Sequence, residues 1–169
     1  MYHILKYRAL KGMATVAIAP EVSKEIESAG GELRALIAEK FGRSLHIREV
    51  DTGSCGGCES EIISANNPIY DLQRFGVNFV ASPRHADALL VTGCLSKNML
   101  TALKKTYEAM PEPKFVVTFG DCALDGGVFK GSYYCESAIK DFLPVVLHIP
   151  GCPPGPLALI KSLLVFLKK

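Results

Sequence analysis

The sequence predicts an α/β domain built on a parallel, doubly wound sheet. Three observations point there. Short apolar runs of strand length alternate with segments of helical periodicity. Glycine and proline punctuate the junctions between them. Cysteines stand in loops that directly follow three of the apolar runs, as functional residues do at the carboxyl edge of an open parallel sheet.

The elements follow in order. Residues 1–43 read as an N-terminal arm ending in one amphipathic helix. Ile4, Leu5, Tyr7 and Leu10 alternate irregularly with Lys6, Arg8 and Lys11. Pro20 and the Gly30–Gly31 pair are expected to interrupt the chain. Glu32–Phe41 then sets Leu33, Leu36, Ile37 and Phe41 at helical spacing, with Gly42 as the stop. This helix is expected to pack either on its own domain or against a partner or membrane surface. Residues 44–169 form the α/β unit. Ser44–Val50 alternates like a strand and leads into the loop Asp51–Gly57. A helix is expected over Glu59–Ala65. Strands are expected at Val77–Ala81, Ala88–Thr92, Phe115–Phe119 and Val145–Ile149, with a helix over Asn98–Glu108. A last helix runs from Leu157 to Leu167, with Pro153, Pro154 and Pro156 before or at its start.

Composition narrows the function. The chain has 169 residues, 49% hydrophobic, enough for one sizeable core. Charged residues make up 21% and the formal net charge is +2, so a nucleic-acid-binding surface is not expected. The longest apolar runs, such as Leu163–Leu167, fall far short of the roughly 20 residues that cross a bilayer. The stretch Met13–Ala19 is weak as a signal-peptide core, and a cytoplasmic chain is expected. In such a chain, six cysteines point to metal or redox chemistry rather than to disulfides.

Cys55-Gly56-Gly57-Cys58 is a CxxC pair, whose short loop turns the second sulfur back beside the first. Alone it serves iron–sulfur clusters, zinc sites and dithiol redox centres alike. Cys122 follows the run Phe115–Phe119, in Gly120-Asp121-Cys122-Ala123. Cys152 follows Val145–Ile149, in Pro150-Gly151-Cys152-Pro153-Pro154. These two lie 64 and 94 positions beyond Cys58. One local pair plus two distant single cysteines suits a cubane cluster better than structural zinc, which takes two local pairs. Cys94, in Val91-Thr92-Gly93-Cys94, rivals the four for a ligand place but reads more simply as a small buried residue. Cys135 has no assigned role.

Asp51-Thr-Gly-Ser-Cys-Gly-Gly-Cys58, Gly120-Asp-Cys-Ala-Leu-Asp-Gly-Gly127 and Pro150-Gly-Cys-Pro-Pro-Gly155, in that order, resemble the small subunits of [NiFe] hydrogenases. They also resemble the homologous cluster subunit of respiratory complex I. The resemblance covers roughly Ser44–Lys169. It implies a flavodoxin-like fold and one [4Fe–4S] cluster on Cys55, Cys58, Cys122 and Cys152, proximal to a nickel–iron site in the large subunit. The spaced pair Cys55/Cys58 looks like the hydrogenase branch, because the complex I subunit has adjacent cysteines there. The chain ends 17 residues after Cys152, without the two-cluster C-terminal domain of export-type hydrogenases. It therefore looks like the single-cluster subunit of membrane-bound hydrogenases, including formate hydrogenlyase types.

The implied activity is electron relay within an oxidoreductase complex, and the chain is not catalytic alone. The implied partners are a [NiFe] large subunit, a ferredoxin-like subunit with two [4Fe–4S] clusters, and integral membrane subunits. The implied location is peripheral, on the cytoplasmic face of the membrane. A complex I-like quinone-reducing subunit and a sulfur-reducing relative are the alternatives. Gly56 departs from the commoner asparagine or threonine. Among the acids, the resemblance favours Glu61 over Glu59 for proton transfer. Asp121 and Asp125 are expected to cap turns or contact the large subunit. Arg84 and His85 read more simply as surface residues than as cluster neighbours.

Overall fold

In a computed structural model, residues 6, 9–12, 20–136 and 138–169 are described. The expectations for Ile4, Leu5, Tyr7, Arg8 and Met13–Ala19 fall outside them. Five strands form one parallel sheet: β1 (Leu45–Asp51), β2 (Val77–Phe79), β3 (Ala88–Thr92), β4 (Phe115–Phe119) and β5 (Val145–Ile149), in the spatial order β2-β1-β3-β4-β5. That is the flavodoxin-like order, and its switch point lies between β1 and β3, where the chain changes direction across the sheet. The helices are α1 (Pro20–Phe41), α2 (Gly57–Ala65), α3 (Lys97–Glu108), α4 (Asp121–Asp125) and α5 (Pro156–Leu167).

The sheet is covered on both faces, which is why β3 reads as an unbroken apolar run and is buried throughout. Its alternate residues serve different cores. Ala88 and Leu90 join one face with Ile26, Leu33 and Ile37 of α1, Ile62 of α2 and Leu159, Ile160 and Leu163 of α5. Leu89 and Val91 join the other with Leu103 of α3, Met110 and Leu143. At the start of β1, Asp87 accepts two hydrogen bonds from the Arg43 guanidinium, at 2.7 and 3.0 Å, and one from the His46 amide at 2.9 Å.

The structure corrects two expectations. Pro20 and the Gly30–Gly31 pair do not interrupt the chain: α1 runs unbroken from Pro20, which stands at its start. Gly30 costs helix propensity, but a Cβ there would overlap the Phe75 ring, so close packing sets that position. This helix packs on its own domain, against α5, with Lys168–Glu32 (2.7 Å) and Lys161–Glu25 ion pairs along the seam. β2 stops at Phe79 rather than Ala81, because after the Val80 amide reaches the Ile47 carbonyl (2.9 Å) the chain turns away.

A cysteine-lined edge at the switch point

Each sequence-predicted cysteine reaches the carboxyl edge by its own loop. Beyond β1, Asp51 Oδ1 accepts from the Gly53 and Ser54 amides, both at 2.7 Å, and bends the chain at once. Thr52 is buried, and its hydroxyl donates to the Thr92 carbonyl at 2.8 Å, tying this loop to the end of β3. Cys55 follows. Gly56 then adopts φ 86°, a left-handed conformation that starts α2 and sets Cys58 in its first turn. Ser54 closes the loop: its hydroxyl donates to Glu59 Oε2 (2.6 Å) and accepts from the Gly56 amide (3.0 Å).

Cys122 lies in the first turn of α4, directly after β4, and Cys152 follows β5. These two loops are laced to each other. The Asp121 amide donates to the Gly151 carbonyl, and the Gly151 amide donates to Asp121 Oδ1, each at 2.9 Å. Asp125 caps its own turn by accepting from the Gly127 amide at 3.1 Å and pairs with Lys130 at 2.8 Å, which holds its carboxyl below the usual range.

The four cysteines therefore meet. Cys55, Cys58, Cys122 and Cys152 line one cavity of about 70 Å³ with Ser54, Gly57, Gly93, Asp121, Gly151 and Pro153. Cys58 and Cys122 are buried; Cys55 and Cys152 are exposed. Gly120 keeps the space open, since a Cβ there would stand 2.7 Å from Cys58 Sγ. Among the described residues, no three His, Cys, Asp or Glu side chains converge closely enough to hold a single metal ion. Burial pushes the Cys58 thiol up to about 12, with further contributions from Glu59 and from Cys122, Cys55 and Cys152. Burial likewise raises Cys122. Thiolates this close repel one another, so the uncompensated site holds protons that a cationic group would displace. Four soft donors on a glycine-lined cradle fit a bulky inorganic group bound through thiolates.

The other candidates separate cleanly. Cys94 is fully buried and does not line this cavity, as the simpler reading of it expected. Arg84 and His85 are exposed and lie towards the opposite end of β1, where the His85 carbonyl stands 3.1 Å from His46 Nδ1. Glu61 is half-buried on α2, one turn beyond Cys58. Glu59 has one oxygen on Ser54 and the other buried without a partner. Sequence reasoning missed Thr52, for which a threonine standing between Asp51 and Gly53 at the end of the predicted strand was the available sign.

Comparison with known proteins agrees with this architecture. A solved chain of the membrane-bound sulfane sulfur reductase, an archaeal respiratory membrane complex, superposes with a TM-score of 0.67 at 32% identity, covering 81% of this chain and 75% of that one. A probable membrane-bound hydrogenase subunit of Pyrococcus furiosus is 43% identical over 135 residues, 80% of this chain and 81% of its own. Formate hydrogenlyase subunit 7 of Escherichia coli is 36% identical over 81% of this chain; the match spans 54% of that protein. The first two of these relatives are by name parts of membrane-bound assemblies, and among the described residues of this chain no helix is long and apolar enough to cross a membrane. The family model of the NADH ubiquinone oxidoreductase 20 kDa subunit matches residues 55–166. The chain belongs to that family, whose members carry an iron–sulfur cluster, and is a subunit of an oxidoreductase complex.

Proposed function

We propose that Cys55, Cys58, Cys122 and Cys152 hold one [4Fe–4S] cluster, and that the chain is the electron-transfer small subunit of a membrane-bound [NiFe]-hydrogenase complex. The observation that carries this reading is the convergence of four thiols, from three separate loops, on one cavity at the switch point. When bound, the cluster supplies one-electron transfer between the nickel–iron site of the large subunit and a ferredoxin-like subunit.

This chain's residues do the rest. The β1 and β5 loops present Cys55 and Cys152 at the surface, and the two buried cysteines anchor the inner side. Asp121 holds the Cys122 and Cys152 loops in register through the Gly151 amide. Backbone amides around the cavity would tune the potential of a bound cluster where they hydrogen-bond to its sulfurs. Val128, next in the chain to the Gly127 that packs on Cys122, is 80% exposed, and Ile63 on α2 is 73% exposed. An apolar surface next to exposed cysteines calls for a covering partner, and the large subunit fills that place. Glu61, one turn from Cys58, takes part in proton transfer towards the partner's site. Glu61→Gln is expected to slow hydrogen evolution while leaving the cluster's EPR signal unchanged; an unaltered rate removes Glu61 from the path. The chain lies peripherally at the cytoplasmic face, held there by a complex with integral membrane subunits, and residues 44–169 form the cluster-binding unit.

The test is anaerobic exposure of the oxidised complex to hydrogen. Appearance of this chain's reduced-cluster EPR signal supports the hydrogenase reading. A signal indifferent to hydrogen, but appearing with a low-potential donor and discharged by polysulfide or quinone, contradicts it. That second outcome favours the sulfur- or quinone-reducing alternative, to which the likeness to the sulfane sulfur reductase also lends support.

A further inference from the structure

Cys94 and Cys135 take no part in the site just described, yet the fold brings them together. Cys94 follows β3 and is fully buried, with its Sγ 3.4 Å from the Gly53 carbonyl and 3.5 Å from the Tyr134 hydroxyl. The segment carrying Cys135 is laid alongside by backbone bonds. Ser96 and Cys135 form an antiparallel bridge, the Glu136 amide donates to the Leu95 carbonyl (2.7 Å), and the Lys97 amide donates to the Tyr134 carbonyl (3.0 Å). Residues two apart on an extended segment share a face, so Cys94 falls on the same side as Ser96 and its opposite number Cys135. The two thiols thus stand on neighbouring, bridged segments. Both line a cavity of about 390 Å³, with Asp125, Lys130, Glu136 and Lys140 around it. That volume admits a small organic molecule. Of the two, Cys135 is half-buried and Cys94 is buried.

We propose that Cys94 and Cys135 form a second thiol site, which exchanges with small organic disulfides entering this cavity and closes to an intramolecular disulfide. The Cys135 thiolate attacks one sulfur of RS–SR; the new bond joins Cys135 to that sulfur, the old S–S bond breaks, and RS⁻ leaves as RSH with the proton Cys135 gave up. Cys94 then attacks the Cys135 sulfur of the mixed disulfide and expels the second RSH in the same way. Two protein thiols are oxidised, one small disulfide is reduced to two thiols, and no proton is gained or lost overall. Burial and the contact with Cys94 push the Cys135 thiol up to about 11. The exchange is therefore slow near neutrality and accelerates about tenfold per pH unit as the thiolate fraction rises. Closure gives up the Cys94 hydrogen bond to Gly53, so the loop entering Cys55 loses one of its holds.

The test uses the anaerobically purified complex and 2-hydroxyethyl disulfide as the probe. Free thiols are alkylated at intervals, peptides are read by mass spectrometry, and the cluster's EPR signal is followed in parallel. The expected result is a Cys94–Cys135 cross-linked peptide, formed about tenfold faster for each unit of pH between about 7 and 9, with the EPR signal retained. Cys94→Ser is expected to stop at a mixed disulfide on Cys135, and Cys135→Ser to leave Cys94 alkylatable. A wild-type chain that accumulates only the mixed disulfide, or keeps both thiols reduced throughout, overturns the proposal. That wild-type time course decides the matter even if neither variant assembles.

Discussion

Gly120→Ala tests the cradle around the cysteines. Two separate costs fall on this position. Gly120 sits at φ 91°, ψ 152°, a region essentially confined to glycine, and forcing another residue into it costs about 1–3 kcal/mol. The added Cβ also stands 2.7 Å from Cys58 Sγ and 3.4 Å from the Gly151 carbonyl, so the sulfur has to move. Gly56→Ala is the control. It shares the positive φ, 86°, but nothing lies within 4 Å of its Cβ; the left-handed conformation alone costs about 1–2 kcal/mol. The assay is anaerobic heating of the complex, following bleaching of the cluster's visible absorbance, together with iron per chain and the EPR line shape. A cost of about 2 kcal/mol lowers a transition by about 4–8 °C in a chain of this size. Gly120→Ala is expected to lower the bleaching temperature by at least that much and to change the line shape or iron content. Gly56→Ala should produce a smaller thermal shift with an unchanged line shape. Gly56→Asn should be milder still, since asparagine tolerates this conformation. Equal effects of Gly120→Ala and Gly56→Ala on the line shape would refute the claim that Gly120 makes room for the Cys58 sulfur.

Three further outcomes are expected. Thr52→Val removes the buried hydroxyl that donates to the Thr92 carbonyl and should cost about 1–2 kcal/mol; unchanged thermal behaviour would mean the loop is held elsewhere. Gly30→Ala, favourable by helix propensity, should instead destabilise the chain, because its methyl meets the Phe75 ring; a gain in stability would contradict the packing of α1. Burial raises the Glu49 carboxyl above its ordinary value, opposed by the Thr92 hydroxyl and reinforced by Glu59 and Asp51. A raised carboxyl pKa favours the folded state most below the unfolded-chain value, and that advantage is lost as pH rises through the folded one. Glu49→Gln should therefore raise stability at neutral pH and flatten its decline above about pH 4–5; parallel pH profiles for variant and wild type would count against this.

Much of this molecule was readable from its residues. β3, β4 and β5 are largely apolar runs bounded by glycine, proline or charged residues, and their sequence-drawn limits coincide with the structure. The rule that loops after parallel strands share one edge brought Cys55, Cys122 and Cys152 together before any coordinates did. Two things were hidden, both for tertiary reasons. The Gly30–Gly31 pair looked like a break because local propensity opposes a helix there, whereas the Phe75 ring that requires Gly30 comes from a distant segment. The Cys94–Cys135 pair depends on a single antiparallel bridge, Ser96 to Cys135, between segments with no periodicity to announce it.

The measurement that bears most directly on the central claim is iron and acid-labile sulfide analysis with low-temperature EPR. It is made on the anaerobically purified complex carrying wild-type, Cys55→Ser or Cys152→Ser chains. The account predicts four irons and four sulfides assigned to this chain in the wild type, as one [4Fe–4S] cluster requires, and a cluster signal lost or altered in both variants. Zinc in place of iron, or a signal indifferent to both substitutions, would contradict it.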